Sequence, residues 1–75
     1  MKERIKEIMA SVFDIDVSEI NDESSPDTIE AWDSLRAMSL ITSLEEEFNI
    51  QFTDDEMLEM LNFKLIVSIV EEKLS

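Results

Sequence analysis

The sequence contains no cysteine, no histidine and no glycine among its 75 residues. Without cysteine there are no disulfide bridges, and without cysteine or histidine the common structural zinc sites cannot form. Cysteine and histidine are therefore missing as nucleophile and acid–base group too, as are the glycine-rich loops that cradle phosphates. We therefore predict a chain that is not an enzyme and whose core is stabilised by apolar packing alone.

Hydrophobic runs long enough to cross a membrane are also absent from the sequence, and its first residues are charged, unlike the core of a signal peptide. We expect one small domain over residues 1–75, soluble and cytoplasmic. Apolar residues still make up 44% of the chain in a regular pattern, which argues against disorder.

Basic residues are scarce, since six Lys and Arg stand against nineteen Asp and Glu, for a net charge of −13. Arg36 is the only basic residue between Glu7 and Phe63. So acidic a molecule repels nucleic acid and anionic membranes, so we expect neither as a partner. The same charge favours basic protein partners and predicts a monomer.

Apolar spacing indicates an all-α fold of four helices, a small bundle with a long first loop and a short third helix. The first helix is predicted over roughly residues 2–14, and the second follows Asp33. Thr53 opens the third helix with a capping box, and Asn62 caps the last. The positions expected to be buried in the second helix are Leu35, Met38, Ile41, Leu44 and Phe48, widened by Ala37 and Leu40. Those in the last helix are Phe63, Ile66, Val67, Val70 and Leu74, with Leu65 and Ile69 on the same side.

The segment from Asp14 to Asp33 lacks periodicity and predicts a long ordered loop, pinned by Val17, Ile20 and Ile29. A loop of about twenty residues in so small a domain more often has a function than serves as a simple connection. Residues 50–52 alternate like a strand, but with no second strand to pair with we expect a connector with Ile50 buried.

Acidic side chains near the start of this loop suggest a calcium site at Asp14, Asp16 and Ser18. An EF-hand loop needs Gly at its sixth position and Glu at its twelfth, where this sequence has Glu19 and Ser25. We therefore expect no metal site beyond weak surface binding of divalent cations.

The most specific motif is Trp32-Asp33-Ser34-Leu35, where the loop meets the second helix. With the L-E-E-E-F run at 44–48, the Thr53-capped helix and the N-F-K run at 62–64, it resembles the acyl carrier protein family over essentially the whole chain. The resemblance implies the acyl-carrier type of four-helix fold. It also implies a covalent 4′-phosphopantetheine on the Ser of the D-S-L motif, here Ser34, whose thiol carries acyl or aminoacyl groups as thioesters.

Helix electrostatics agree with that assignment, because a phosphodiester on Ser34 would lie at the positive end of a helix with free N–H groups. The motif alone fits a simpler interpretation as well, an Asp N-cap followed by Ser at the first helical position. The alternative function is therefore an unmodified acidic helical adaptor that binds a basic protein.

The resemblance also implies partners: a phosphopantetheinyl transferase, and acyl-transferring or ligase enzymes with basic docking patches. The residues expected to face them are Asp33, Leu35, Arg36, Met38, Ser39 and Glu46. Fatty-acid carriers usually have acidic residues just after the modified Ser, whereas this chain has Arg36 and Ser39, which puts primary fatty-acid synthesis in doubt. The simpler interpretation is that Arg36 is a solvated residue of the helix surface. The alternative hypothesis is that Arg36 and Ser39 alter the choice of partner, as in a specialised pathway. Trp32 is interpreted as pinning the loop to the bundle, in preference to the alternative that it lines the path of the phosphopantetheine arm. The residues expected to line any buried acyl chain are Met38, Ile41, Leu44 and Met60.

Overall fold

Four α-helices form the protein in the computed structural model, which describes residues 2–75. They are α1 (Lys2–Phe13), α2 (Ser34–Phe48), α3 (Asp54–Glu59) and α4 (Phe63–Leu74). A short 3₁₀ turn, Val17–Glu19, interrupts the long first loop, and no strand occurs within the described residues. The predicted all-α architecture, with its long first loop and short third helix, is confirmed.

Two helices end without the glycine that usually terminates a helix. Asp14, after α1, and Asn49, after α2, adopt the left-handed conformation with φ of 56° and 55°. Asp and Asn tolerate this region better than other non-glycine residues. The next residue then bonds back across each terminus, Ile15 N–H to the Ala10 carbonyl and Ile50 N–H to that of Glu45. The chain thus reverses sharply at both points.

The core lies where α1, α2 and α4 face one another. Its fully buried side chains are Ile5, Met9 and Phe13 of α1, Leu40 and Leu44 of α2, and Phe63, Ile66 and Val70 of α4. Burial of each such side chain is worth about 1.5–3 kcal/mol before the cost of ordering it is subtracted. With no disulfide, this apolar packing supplies most of the stability.

The predicted buried face of α2 is partly wrong. Leu44 is completely buried, but Leu35 is 78% exposed and Met38 57% exposed. At about 100° per residue, Leu35 lies about 180° and Met38 about 120° around the helix from Leu44. Both leave the core side and point outward, while Leu40 and Ile41 are buried beside Leu44 and Phe48 is half-buried.

Three further burial predictions are also corrected. Val17 does not anchor the loop, because it lies on the outward 3₁₀ turn and is exposed. In the connector between α2 and α3, Phe52 is buried and Ile50 only half-buried, since the turn at Asn49 shifts which side chain faces the core. Leu65 and Leu74 of α4 are exposed as well, because Leu65 lies about 100° around the helix from Ile66 and Leu74 lies one turn beyond Val70, the last buried residue.

The long loop is held against the helices by short-range and long-range contacts. Ile20, Ile29 and Trp32 are buried, as expected for the first two. Ser24 is also buried; its hydroxyl accepts the Asn21 N–H at 2.9 Å and its carbonyl accepts the Phe63 N–H of α4 at 2.8 Å. The loop is therefore ordered structure that fixes where α2 begins.

Within residues 2–75 no helix combines the length and the apolar character that a membrane span needs.

Candidate functional site around Ser34

Ser34 is the first residue of α2 and its side chain is exposed. Asp33 precedes it as the N-cap, with extended backbone, and its carboxylate accepts the Arg36 N–H at 2.8 Å. The Asp33 carbonyl accepts the Ala37 N–H at 2.9 Å, which begins the helical ladder. An Asp N-cap of this kind stabilises the helix start and so fixes the position of the neighbouring hydroxyl.

Two backbone donors lie beside this hydroxyl. The N–H groups of Ser34 and Leu35 find no acceptor among residues 2–75, whereas that of Arg36 is satisfied by Asp33. Free N–H groups and the positive end of a 15-residue helix favour a negatively charged group at this point. The site therefore fits a phosphate ester on the serine oxygen, although the neighbouring Asp33 carboxylate is a charge of the same sign.

The approach to α2 is fixed by an aromatic contact. Trp32 is buried and stacks on Phe13 of α1, with ring centroids 5.2 Å apart. The backbone N–H of Trp32 donates to the Ile29 carbonyl at 3.0 Å, and that of Asp33 donates to the Ala31 carbonyl at 3.0 Å. These contacts agree with the expectation that Trp32 pins the loop to the bundle. Ser34 thus follows a loop end that is fixed in position by packing and hydrogen bonds.

The predicted partner-facing residues are all exposed in the structure: Asp33, Leu35, Arg36, Met38, Ser39 and Glu46. Arg36 forms no ion pair within residues 2–75, although it lies two residues from Ser34 in a strongly acidic molecule. The surface next to Ser34 therefore presents an apolar pair, Leu35 and Met38, together with one unpaired cation.

The residues expected to line a buried acyl chain do not form one group. Ile41, Leu44 and Met60 are buried in the core, whereas Met38 lies outside it. A cavity of about 690 Å³ opens instead between the end of α1, the long loop and the start of α2. Its lining includes the core residues Phe13 and Ile29, Glu30 of the loop, and Asp33 and Arg36 on either side of Ser34 in the sequence. Sequence reasoning missed this cavity because the path of the loop decides which side chains surround it.

Ion pairs across the bundle were also missed. Arg4 of α1 binds Glu47 of α2 through two nitrogens, at 2.8 and 3.0 Å, and Lys2 binds Asp22 of the loop at 2.9 Å. The hydrogen bond and charge of Arg4 hold the pKa of Glu47 below its usual value, and Lys2 lowers the pKa of Asp22 in the same way.

No group of three or more acidic side chains within residues 2–75 is arranged to hold a metal ion.

Known proteins resemble the chain in both sequence and fold. The family model described as "Phosphopantetheine attachment site" matches residues 3–70. The acyl carrier protein of Buchnera aphidicola is 36% identical over 74 residues, 97% of this chain and 91% of its own length. The chain belongs to the acyl carrier protein family.

Further acyl carrier proteins agree with the assignment. That of Clostridium acetobutylicum is 44% identical over 54 residues, which cover 72% of this chain and 70% of its own length. The solution structure of a holo acyl carrier protein from Geobacter metallireducens superposes with a TM-score of 0.89 at 36% identity. The match covers 97% of this chain and 84% of the Geobacter chain.

Membership in the acyl carrier protein family decides the general role. Acyl carrier proteins are carriers and not enzymes, so the chain supplies an attachment point and a surface rather than catalytic groups. Its cofactor is 4′-phosphopantetheine, whose thiol bears the acyl group when bound. The carrier role also entails contact with acyl-transferring enzymes.

Proposed function

We propose that this acyl carrier protein bears its 4′-phosphopantetheine on the hydroxyl of Ser34. The observation that carries the proposal is the exposed serine at the first position of α2, next to two backbone N–H groups that have no acceptor within residues 2–75. The family motif D-S-L at Asp33, Ser34 and Leu35 supports the same residue. The roles of the neighbours follow: Asp33 caps the helix, and the N–H groups of Ser34 and Leu35 face the phosphate.

Mass spectrometry tests the attachment residue. The protein is incubated with coenzyme A and a broad-specificity phosphopantetheinyl transferase, and we expect the mass to increase by one phosphopantetheine. Ser34→Ala should abolish the increase, while Ser68→Ala, which alters an exposed serine of α4, should leave it intact. An unmodified wild-type protein that still binds a basic partner would favour the acidic adaptor instead. Modification that persists in Ser34→Ala would move the site elsewhere.

We further propose that the partners are the transferase that loads Ser34 and acyl-transferring or ligase enzymes whose basic patches approach α2. The acidic surface supports this, since complementary charge increases the rate of encounter. Arg36 and Ser39 support a specialised pathway, because an unpaired cation beside the attachment serine disfavours a partner with a basic group at that position.

The role of Arg36 is tested by charge reversal. Arg36→Glu should raise the KM of the protein's own partner enzyme for the loaded carrier by roughly tenfold. The same change should lower the KM of an enzyme from fatty-acid synthesis by a similar factor. Glu46→Lys, at another exposed position of α2, gives the comparison for a charge change farther from Ser34. If Arg36→Glu left the KM of each enzyme at its wild-type value, Arg36 would not select partners.

A further inference from the structure

The methionines of the bundle differ widely in their access to solvent. Met38 of α2 is 57% exposed. Of the other three within residues 2–75, Met9 and Met60 are buried and Met57 is half-buried against the core. Because the chain has no cysteine, its thioethers are its only sulfur groups, and no thiol of the chain competes with them for an oxidant. Exposure then decides which sulfur reacts first, and that sulfur belongs to Met38.

Met38 also lies one helical turn from the proposed attachment residue. It follows Ser34 by four residues in α2. At about 1.5 Å and 100° per residue, this spacing places it about 6 Å along the helix and about 40° around it from Ser34. Residues at this spacing are neighbours on a helix surface. Leu35, which is 78% exposed, lies three residues before Met38 and completes one apolar patch beside the serine hydroxyl.

Any enzyme that modifies Ser34 must cover Met38 as well. A protein–protein interface of standard size hides about 800 Å² of each partner, a patch of roughly 16 Å in radius. Met38, about 6 Å along the helix from Ser34, lies well inside such a patch. Its thioether offers the enzyme a flexible apolar contact. The sulfoxide is polar instead, and burying its oxygen without a hydrogen-bond donor lowers the affinity of the enzyme.

The chemistry of the oxidation changes this one group. A lone pair of the Met38 sulfur attacks one oxygen of hydrogen peroxide, so that an S–O bond forms and the O–O bond breaks. The other oxygen leaves as hydroxide and takes up the proton released from the first, which gives water. The sulfur is thereby oxidised and the peroxide reduced. Since Met38 is mostly exposed, the added oxygen is hydrated in the free protein and the core is not disturbed.

We propose that Met38 is a redox-sensitive modification site: a peroxide converts its thioether to the sulfoxide, which preserves the fold but weakens the contact through which the transferase reaches Ser34. Methionine sulfoxide reductases reverse the change, so loading of the carrier can be switched off and on. The effect on loading rests on the proposed attachment at Ser34. The oxidation itself is a property of the unmodified protein.

Peptide mass spectrometry tests the oxidation. The unmodified protein is treated with millimolar hydrogen peroxide, which is then removed with catalase. Met38 should gain an oxygen atom severalfold faster than Met57, with Met9 and Met60 slower still, while circular dichroism keeps its helical signal. Oxidation of these methionines at one common rate, or loss of helix as Met38 is oxidised, would overturn the proposal.

The loading reaction with coenzyme A tests the consequence. Oxidation of Met38 should raise the KM of the transferase for the carrier by roughly tenfold. The two methionine sulfoxide reductases together should restore the original KM, since each reduces one epimer. Met38→Gln, whose amide is polar like the sulfoxide, should raise the KM without any peroxide.

Met57→Leu and Met38→Leu are the matched controls, each compared with itself before and after peroxide. Met57→Leu should remain as sensitive as wild type, whereas treatment should not change the KM of Met38→Leu. A wild-type KM that peroxide leaves unchanged, or an equal increase in Met38→Leu, would overturn the effect of Met38 alone. Failure of untreated wild type to load at Ser34 would overturn the proposed attachment and the effect of Met38 together.

Discussion

Asp33 has two effects on the serine that follows it. Its carboxylate caps α2 by accepting the Arg36 N–H, and it also adds negative charge beside Ser34. Asp33→Ala should lower the free energy of unfolding by about 1 kcal/mol, because the Arg36 N–H loses its acceptor. Asp33→Asn should retain most of the stability, since Asn is an equally good N-cap. Urea unfolding followed by circular dichroism measures both.

The same two variants separate the cap from the charge during loading. If the cap positions the hydroxyl, phosphopantetheinylation of Asp33→Asn should proceed at close to the wild-type rate while that of Asp33→Ala slows. Equal slowing of the two variants would instead assign the effect to the charge of Asp33, and equal stability of all three proteins would show that the cap contributes nothing.

Individual residues were predictable where their role is local. Asp33, Thr53 and Asn62 are all N-caps as expected, because a cap depends on side chains within three residues of it. The exposure of Leu35 and Met38 could not be predicted in this way, because the sequence shows that they are apolar but not which side of α2 the other helices cover. For the same reason their exposure next to Ser34 emerges only from the structure.

Between the helices, the bidentate contact of Arg4 in α1 with Glu47 in α2 gives a pH-dependent contribution to stability. Arg4 lowers the pKa of Glu47 in the folded state. As the pH falls below about 4.3, the unfolded chain binds a proton here before the folded chain does. The stabilisation is therefore complete at neutral pH and is lost as the pH falls through the lower pKa of the folded state.

Glu47→Gln should accordingly melt at a lower temperature than wild type at pH 7, and the difference should shrink to zero in strong acid. Glu46→Gln is the matched control, because Glu46 is exposed and has no ion pair within residues 2–75. Thermal melts of the three proteins across the pH range show the effect. A Glu47→Gln difference that does not vary with pH would mean that the ion pair is not its source.

At the scale of whole helices, their number and order followed from apolar spacing and caps, but their pairing did not. Arg4 and Glu47 are 43 residues apart in sequence, and nothing local marks them as neighbours. The loop anchor at Ser24 was missed for the same reason, since its carbonyl partner lies in α4. The proposed attachment serine belongs to a motif and a helix start that are both local, and the helix start was predicted correctly, whereas the neighbouring cavity depends on the loop path.

Across the molecule as a whole, nineteen acidic residues face six basic ones, and the four ion pairs within residues 2–75 neutralise only part of the excess. The folded chain brings the remaining carboxylates closer together than the unfolded chain does, so their repulsion opposes folding. Added salt shortens the range of that repulsion to about 10 Å at 0.1 M and about 3 Å at 1 M. It weakens the few ion pairs as well, but the repulsive contacts are more numerous.

We therefore expect the melting temperature to rise by several degrees between about 0.02 and 0.5 M NaCl, and to rise at lower concentrations of Mg²⁺, whose double charge screens more strongly. Glu23→Gln together with Glu72→Gln removes two exposed carboxylates that have no ion pair within residues 2–75. This variant should melt higher than wild type at low salt and respond less to added salt. A flat melting temperature across the titration would show that repulsion does not limit stability, and a falling one would show that the ion pairs outweigh it.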